Sequence, residues 1–558
     1  MPRFLLLIFI LLFTQTVNAQ NRIAVLLNDK GGTPYTLSNP SAYLSQQAIA
    51  RRTQASIAID STDLPVNPAY INAIKNTGAV VLNTSKWLNE VTVDVSSAPN
   101  ALAAINGLPF VKQTKVVGRP STNGHHVNKY SFVMQNLSYK QHQLQKVAST
   151  SSFYNYGYAQ NQIKMIDGDK LHDMGYRGNG KIIAMLDAGF FNVDVMTAFD
   201  SLRAHNRIID TYDFVDHQTN VYDDHSHGAM CFSIIGANDP GNLIGTAPEA
   251  SFYLFRSEDA FTENPIEEYN WATAAEAADS VGADIISSSL GYFTFDDSTL
   301  SHTYADLDGR TTPIAIAATM ASRKGMIVVN SAGNEGNNPW HYIISPGDAD
   351  SIITVGAVDS VEQYAFFSST GPAADGRVKP TVSAQGMGTY VSSPYDNSVF
   401  SGNGTSFSCP VIAGMVACLW QSVPSATNMQ IIEAVKQSAS QYLNPDSLLG
   451  YGIPNFDSAR MMLLSVNNPN FGKGDFIENI YPNPFSNTVN INFYADSNRK
   501  YSAEIFDITG KLLAKKTGIF NPYIINSFQL STPTFAKGVY TLRIITDKGV
   551  YKRKLIKQ

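Results

Sequence analysis

Gly404-Thr405-Ser406-Phe407-Ser408-Cys409-Pro410 runs directly into an apolar stretch, Val411 to Trp420. The stretch reads as a buried helix and places one hydroxyl, that of Ser406, at the helix mouth. A helix N-terminus presents unpaired backbone N–H groups and the positive end of the helix dipole. Both favour an oxyanion forming beside it. Gly404 lets a substrate backbone come close, and Pro410 is expected in the first turn, where a missing N–H costs little. In isolation Thr405 or Ser406 would be no more than a helix cap. The rest of the chain changes that reading.

Around this run the chain alternates strand and helix. Expected strands are Ile182 to Leu186, Ile208 to Phe214, Phe252 to Phe255, Asp284 to Leu290, Met326 to Ser331 and Ile352 to Val358. Expected helices are Asp167 to Met174, His227 to Ile235, Pro265 to Val281, Pro313 to Arg323, Ser406 to Gln421 and Asn428 to Ala439. Several strands are continuous apolar runs, as required when both faces of a sheet are covered. The fold class is therefore α/β, a doubly wound parallel sheet, with function at the carboxyl ends of its strands. Asp187 and Asn334 fall just past such ends.

Four polar positions lie beside glycines at element ends: Asp187 before Ala188-Gly189, His227 before Gly228, Asn334 between Gly333 and Glu335-Gly336, and Ser406. Each alone is an ordinary cap, turn or core residue. Together they supply what acyl transfer to a serine needs. That is a nucleophile, a base near neutral pKa, a carboxylate that holds the base's tautomer, and a donor for the oxyanion.

At these residues the block from about Tyr156 to Leu463 resembles a subtilisin-like serine protease, a subtilase. Tyr156-Gly157 through Gln162-Ile163 and Gly175-Tyr176-Arg177-Gly178 are similar to that family's N-terminal entry. Ala184 to Gly189 matches its aspartate motif, His227 to Met230 its histidine motif, and Ser287 to Gly291 its substrate-binding strand. Ser331 to Asn334 matches the oxyanion motif, and Gly404 to Pro410 the serine motif. The order Asp, His, Ser along the chain is that of subtilisins. The resemblance implies that Asp187, His227 and Ser406 are catalytic. It also implies that Asn334 is the oxyanion donor and that Ser289, Leu290 and Gly291 pair with an extended substrate. Ala188 stands where a Ser or Thr is usual, Ala229-Met230 replaces Thr-His, and Phe407-Ser408-Cys409 replaces Met-Ala-Ser. None of these removes a reacting group. Cys231, one turn after His227 on the same helix face, is expected beneath the site.

The flanking segments read separately. Residues 1–19 are a secretory signal peptide, with Arg3 before the apolar run Leu5 to Phe13. Residues 20–117 form a small α+β unit that resembles the subtilase propeptide, which covers the active site, assists folding and is removed. Residues 118–155 are a polar linker suited to cleavage, and 156–465 the peptidase domain. From 475 to 558, alternation such as Val489/Ile491/Phe493 and Tyr540/Leu542/Ile544 predicts an antiparallel β-sandwich. Tyr481-Pro482-Asn483-Pro484-Phe485, Phe506 to Lys511, Gly538-Val539-Tyr540 and Lys552-Arg553-Lys554 resemble the sorting domain of type IX secretion cargo.

Bulk properties agree with an exported multidomain protein. The chain has 558 residues, 44% hydrophobic, with a net charge of −6. That mild charge makes no case for nucleic acid as a partner. Three cysteines do not make a disulfide scaffold. The resulting expectation is a secreted serine endopeptidase made as a zymogen, exported through the periplasm to the cell surface or beyond. Its partners are protein or peptide substrates, its own propeptide and the type IX secretion machinery. Catalysis requires no metal or other cofactor. Structural calcium is left open, with Asp306-Leu307-Asp308-Gly309 as the loop to inspect. The alternative is a catalytically weak, surface-displayed binding protein on the same scaffold, and the intact Asp187, His227, Asn334 and Ser406 favour the enzyme.

Overall fold

A computed structural model describes residues 22–118, 129, 152–467, 475–495, 499–520 and 525–558. The signal peptide and most of the 118–155 linker lie outside the described residues.

The central domain carries seven parallel strands: β1 (Ile182–Asp187), β2 (Ile208–Asp213), β3 (Ser251–Arg256), β4 (Ile285–Ser288), β5 (Ile327–Ser331), β6 (Ile353–Val358) and β7 (Val382–Gln385). Their order is β7-β6-β5-β4-β1-β3-β2, and every pairing is parallel. Seven helices of the domain matter here: α1 (Gly168–Asp173), α2 (His227–Gly236), α3 (Ile266–Val281), α4 (Pro313–Arg323), α5 (Thr405–Ser422), α6 (Asn428–Gln437) and α7 (Phe456–Asn467).

Strand alternation divides the core into two layers. Ile183, Met185, Ile285, Val329 and Val355 pack with α2 and α5. Ala184, Leu186, Ile286 and Val328 pack on the other face with α3 and α4. α5 is buried on all sides from Thr405 to Trp420, as its continuous apolar sequence requires. Local caps set other starts. Thr312 accepts from Ala315 N ahead of Pro313, and Thr427 forms a capping box with Gln430.

Three expectations change. The strand expected over Asp284 to Leu290 ends at Ser288, because the chain turns away to pair Tyr292 with Ser345. Short β7 joins the sheet although only Val382 and Ala384 are apolar in it. Pro410 is the sixth residue of α5, beyond the first turn.

The N-terminal unit is a four-stranded antiparallel sheet, ordered 80–85, 90–94, 22–27 and 111–118. It seats on α3. Ala24 and Val117 pack against Ile266 and Tyr269, and Glu276 accepts from Ser85 Oγ and from the N–H groups of Lys86 and Trp87. Asp279 binds Arg51 at 2.5 Å and Arg52 at 2.7 Å. α3 ends at Gly282, whose φ of +94° only glycine adopts readily. A Cβ there would lie 2.5 Å from Gln47 Cβ of the N-terminal unit.

The C-terminal unit is an antiparallel sandwich of a three-stranded and a four-stranded sheet. Val489, Ile491 and Phe493 of one sheet and Leu542 and Ile544 of the other share its core. The Tyr481 to Phe485 run folds onto the last strand, where Phe485 N–H donates to Ile556 O and Ile556 N–H donates to Asn483 Oδ1, both at 2.8 Å. Among the described residues no helix is long and apolar enough to cross a membrane.

Candidate active site

The carboxyl end of β1 and the N-termini of α2 and α5 converge. Asp187 is the last residue of β1 and His227 the first of α2, and both are buried. His227 Nδ1–H donates to Asp187 Oδ1 at 2.7 Å, and Ala188 N–H donates to the same oxygen at 2.8 Å. A backbone donor therefore holds the carboxylate where a Ser or Thr hydroxyl is absent. Close approach of α2 to β1 depends on Gly228, because a Cβ there would lie 2.3 Å from Gly189 O and 2.8 Å from Asp187 Cβ. His225 stands aside; its Nδ1 accepts the His227 N–H at 3.2 Å.

Ser406 is the second residue of α5, after Thr405 and the N-cap Gly404, whose φ of +153° suits glycine. Its Oγ donates to Ser289 O at 3.4 Å. Cys231 ties the two halves of the site together. Its Sγ lies 3.9 Å from both ring nitrogens of His227 and donates to Ser406 O at 3.3 Å. Burial pushes this thiol well above its usual range, so it stays protonated and serves as packing and donor. Cys409 and Cys418 are also buried and free, and burial raises the Cys409 thiol to about 12.

Asn334 follows β5. Its Oδ1 accepts from Thr405 N at 2.9 Å and from Thr405 Oγ1 at 3.1 Å. With the oxygen end occupied, the Nδ2 end is left for the cleft that Asn334 and Ser406 both line. Thr405 Oγ1 lies 3.1 Å from Gly333 O as well and accepts the Gly333 N–H at 3.2 Å, so its one proton is shared between Asn334 Oδ1 and Gly333 O while a lone pair holds the Gly333 amide. Ser289, Leu290 and Gly291 line the same cleft, about 520 Å³ in volume, in the segment that follows β4.

The structure thus brings together every residue expected at the site. Sequence reasoning passed over Thr405, read only as a cap, and the hydroxyl of Ser289, which donates to Ser406 O at 2.9 Å. It also passed over three glutamates beside the cleft. Glu258, Glu263 and Glu267 surround the ammonium of Lys129 at 2.6, 2.8 and 2.8 Å. The only signal for these was a density of acids around the start of α3, which does not single out a site.

Among the described residues, groups with ligand atoms close enough to share a metal ion are Asp187/His227/Cys231, Asp213/Asp216/Asp224 and the three glutamates. The second group holds Arg256 and the third Lys129. In the loop from Asp306 to Gly309, Asp306 accepts from Thr303, and Asp308 accepts from the N–H groups of Arg310 and Thr311.

Comparison with known proteins gives three family matches. The Subtilase family model matches residues 178–452, the Bacteroidota peptidase S8 propeptide domain residues 22–147, and the secretion system C-terminal sorting domain residues 479–558. The chain is 32% identical to subtilisin E of Bacillus subtilis (strain 168) over 304 residues, spanning 53% of this chain and 70% of that protein. It is 31% identical to subtilisin of Bacillus pumilus over 304 residues, 53% of this chain and 97% of that one. Serine protease AprX of Bacillus subtilis (strain 168) is 29% identical over 311 residues, 50% of this chain and 66% of its own.

Proposed function

The chain belongs to the subtilase family, as a secreted serine peptidase with its own propeptide and a sorting tail, and we propose that Asp187, His227, Asn334 and Ser406 carry its chemistry. Ser406 Oγ attacks the scissile carbonyl while His227 Nε2 takes its proton. His227 then returns that proton to the leaving amine, and water repeats the cycle on the acyl-enzyme. Asp187 holds the Nδ1–H tautomer of His227 and stabilises the imidazolium. Asn334 Nδ2 and the Ser406 N–H at the α5 N-terminus bind the oxyanion.

Ser289, Leu290 and Gly291 pair with the extended substrate backbone, which makes proteins and peptides the substrates and internal peptide bonds the targets. The reaction draws on no metal. The domain plan is a leader over 1–19, a propeptide over 20–117, a cleavable linker over 118–155, the peptidase over 156–465 and the sorting domain over 475–558.

The observation that carries this reading is the buried 2.7 Å His227–Asp187 hydrogen bond, with Cys231 touching both the His227 ring and the Ser406 backbone. The test is labelling of the purified, propeptide-free protein by a fluorophosphonate beside a Ser406→Ala control. Labelling lost in the control is expected. Equal or absent labelling in a folded, processed sample would favour the binding-protein alternative.

A further inference from the structure

Lys129 follows the last strand of the N-terminal unit, within the residues 22–147 that match the propeptide domain, and is held in the cleft that contains Ser406. Its Nζ meets Glu258 Oε1 at 2.6 Å, Glu263 Oε2 at 2.8 Å and Glu267 Oε2 at 2.8 Å, and sits 5.7 Å from the centre of the Tyr292 ring. Its backbone N–H donates to Ala260 O at 3.4 Å, a main-chain contact of the kind an extended peptide makes with its receptor. Glu258 and Glu267 are only 3% and 2% exposed. Among the described residues that line the cleft, Lys129 is the one cation, set against Glu258, Glu263, Asp296 and Glu335.

Such a cluster is costly when empty. Burial, with mutual repulsion, raises Glu263 to about 7 and Glu267 well above the usual carboxylate range, even with Lys129 present. Once the linker leaves, the cluster must gain protons or another cation. Three carboxylate oxygens around one point match the three donors of an ammonium. The planar fork of a guanidinium matches them less well.

We propose that Glu258, Glu263 and Glu267 form a substrate subsite that selects a lysine side chain near the scissile bond, and that Lys129 fills it in the zymogen as a substrate would. The proposal rests on the peptidase reading above. In the zymogen Lys129 is then a tethered stand-in for a substrate side chain.

The test uses the processed enzyme and quenched peptides of one sequence in which lysine replaces glutamine position by position around the cleaved bond. One position is expected to give a lysine-to-glutamine kcat/KM ratio of roughly tenfold or more, with arginine intermediate. That ratio should fall towards one in Glu258→Gln and Glu267→Gln, and partly in Glu263→Gln, whose less buried side chain is the safer substitution for folding. A flat profile in the wild type, or a preference that survives all three substitutions, overturns the proposal. So does saturable calcium or manganese binding to the Ser406→Ala protein that is lost in Glu267→Gln and accompanied by loss of the wild-type preference, which would make the cluster a cation site. Fluorophosphonate labelling of the same samples separates the two claims. Labelling without lysine preference sinks the subsite alone, and absent labelling sinks the peptidase reading and the subsite with it.

Discussion

Pro410 frees the carbonyl oxygen of Ser406. In a regular helix the N–H of residue 410 would bond to that oxygen. Proline has no N–H, and the oxygen instead accepts Ser289 Oγ at 2.9 Å and Cys231 Sγ at 3.3 Å. The bond lost inside α5 becomes a tie between the nucleophile's backbone, the substrate-binding segment and the helix that carries His227. Ser289→Ala and Cys231→Ala should therefore be coupled, because each alone leaves the oxygen one donor and together they leave none. A double-mutant cycle in urea unfolding, on a Ser406→Ala background that prevents autolysis, should show about 0.5–3 kcal/mol of coupling. Additive effects would mean the two donors do not share a task.

Asn334→Ala should lower kcat by roughly 10²–10³ with little change in KM, since an oxyanion donor acts mainly in the transition state. Thr405→Val removes the hydroxyl that braces Asn334 Oδ1 and Gly333 O while leaving Nδ2 in place. Its loss in kcat should be smaller, about tenfold. Steady-state kinetics on one peptide substrate decides both, and a Thr405→Val enzyme with full kcat would remove Thr405 as a positioning residue.

Gly228→Ala tests the approach of α2 to β1. The new Cβ cannot coexist with Gly189 O at 2.3 Å, so α2 must move and carry His227 away from Asp187. Activity should drop about 10²-fold or more in a protein that still folds. Circular dichroism and fluorophosphonate labelling on one sample would show whether the loss is local.

Stability should decline in mild acid through His172 on α1. This buried ring accepts Tyr156 Oη on Nδ1 at 2.9 Å, and its Nε2–H donates to Thr246 O at 2.9 Å, a pattern that suits the neutral form. Burial lowers its pKa from 6.5 to about 4. The unfolded chain takes up a proton near 6.5 and the folded one only near 4. The contribution is therefore complete above pH 6.5 and fades as pH falls to 4, by roughly 3 kcal/mol in all. Urea midpoints between pH 7 and 4 should show this decline, and His172→Gln should flatten it.

The propeptide contact should weaken sharply in Asp279→Asn. Burial alone would raise this carboxyl, but Lys86, Arg51 and Arg52 hold it below its usual range. Neutralising it leaves buried Arg51 without its carboxylate partner and Arg52 with Asp63 alone, at a cost of about 3–5 kcal/mol. After processing, the cleaved propeptide should leave on the order of 10²-fold faster or more. The rise of peptidase activity with time measures this, and an unchanged rate would shift the main hold to Glu276 and the apolar contacts of Ile266 and Tyr269.

Much of this molecule is legible in local sequence, for a physical reason. The apolar runs of β1, β5 and β6 reflect burial on both faces, and the starts of α4 and α6 carry Thr caps, so nearest-neighbour patterns suffice to place them. Asp187, His227, Asn334 and Ser406 were visible because each sits at an element end beside a glycine that its backbone geometry or packing requires. What could not be read depends on contacts between distant parts of the chain. β7 is too short and too polar to stand out until β6 pairs with it. The braces on Asn334 and on the Ser406 carbonyl join residues 71 to 175 positions apart. The ammonium of Lys129 finds its three carboxylates only after β3 and α3 have packed. Local propensity and periodicity are properties of neighbours in the chain. Hydrogen bonds and charge pairs across a buried cleft are properties of neighbours in space, and only the folded sheet and its helices bring those groups within reach.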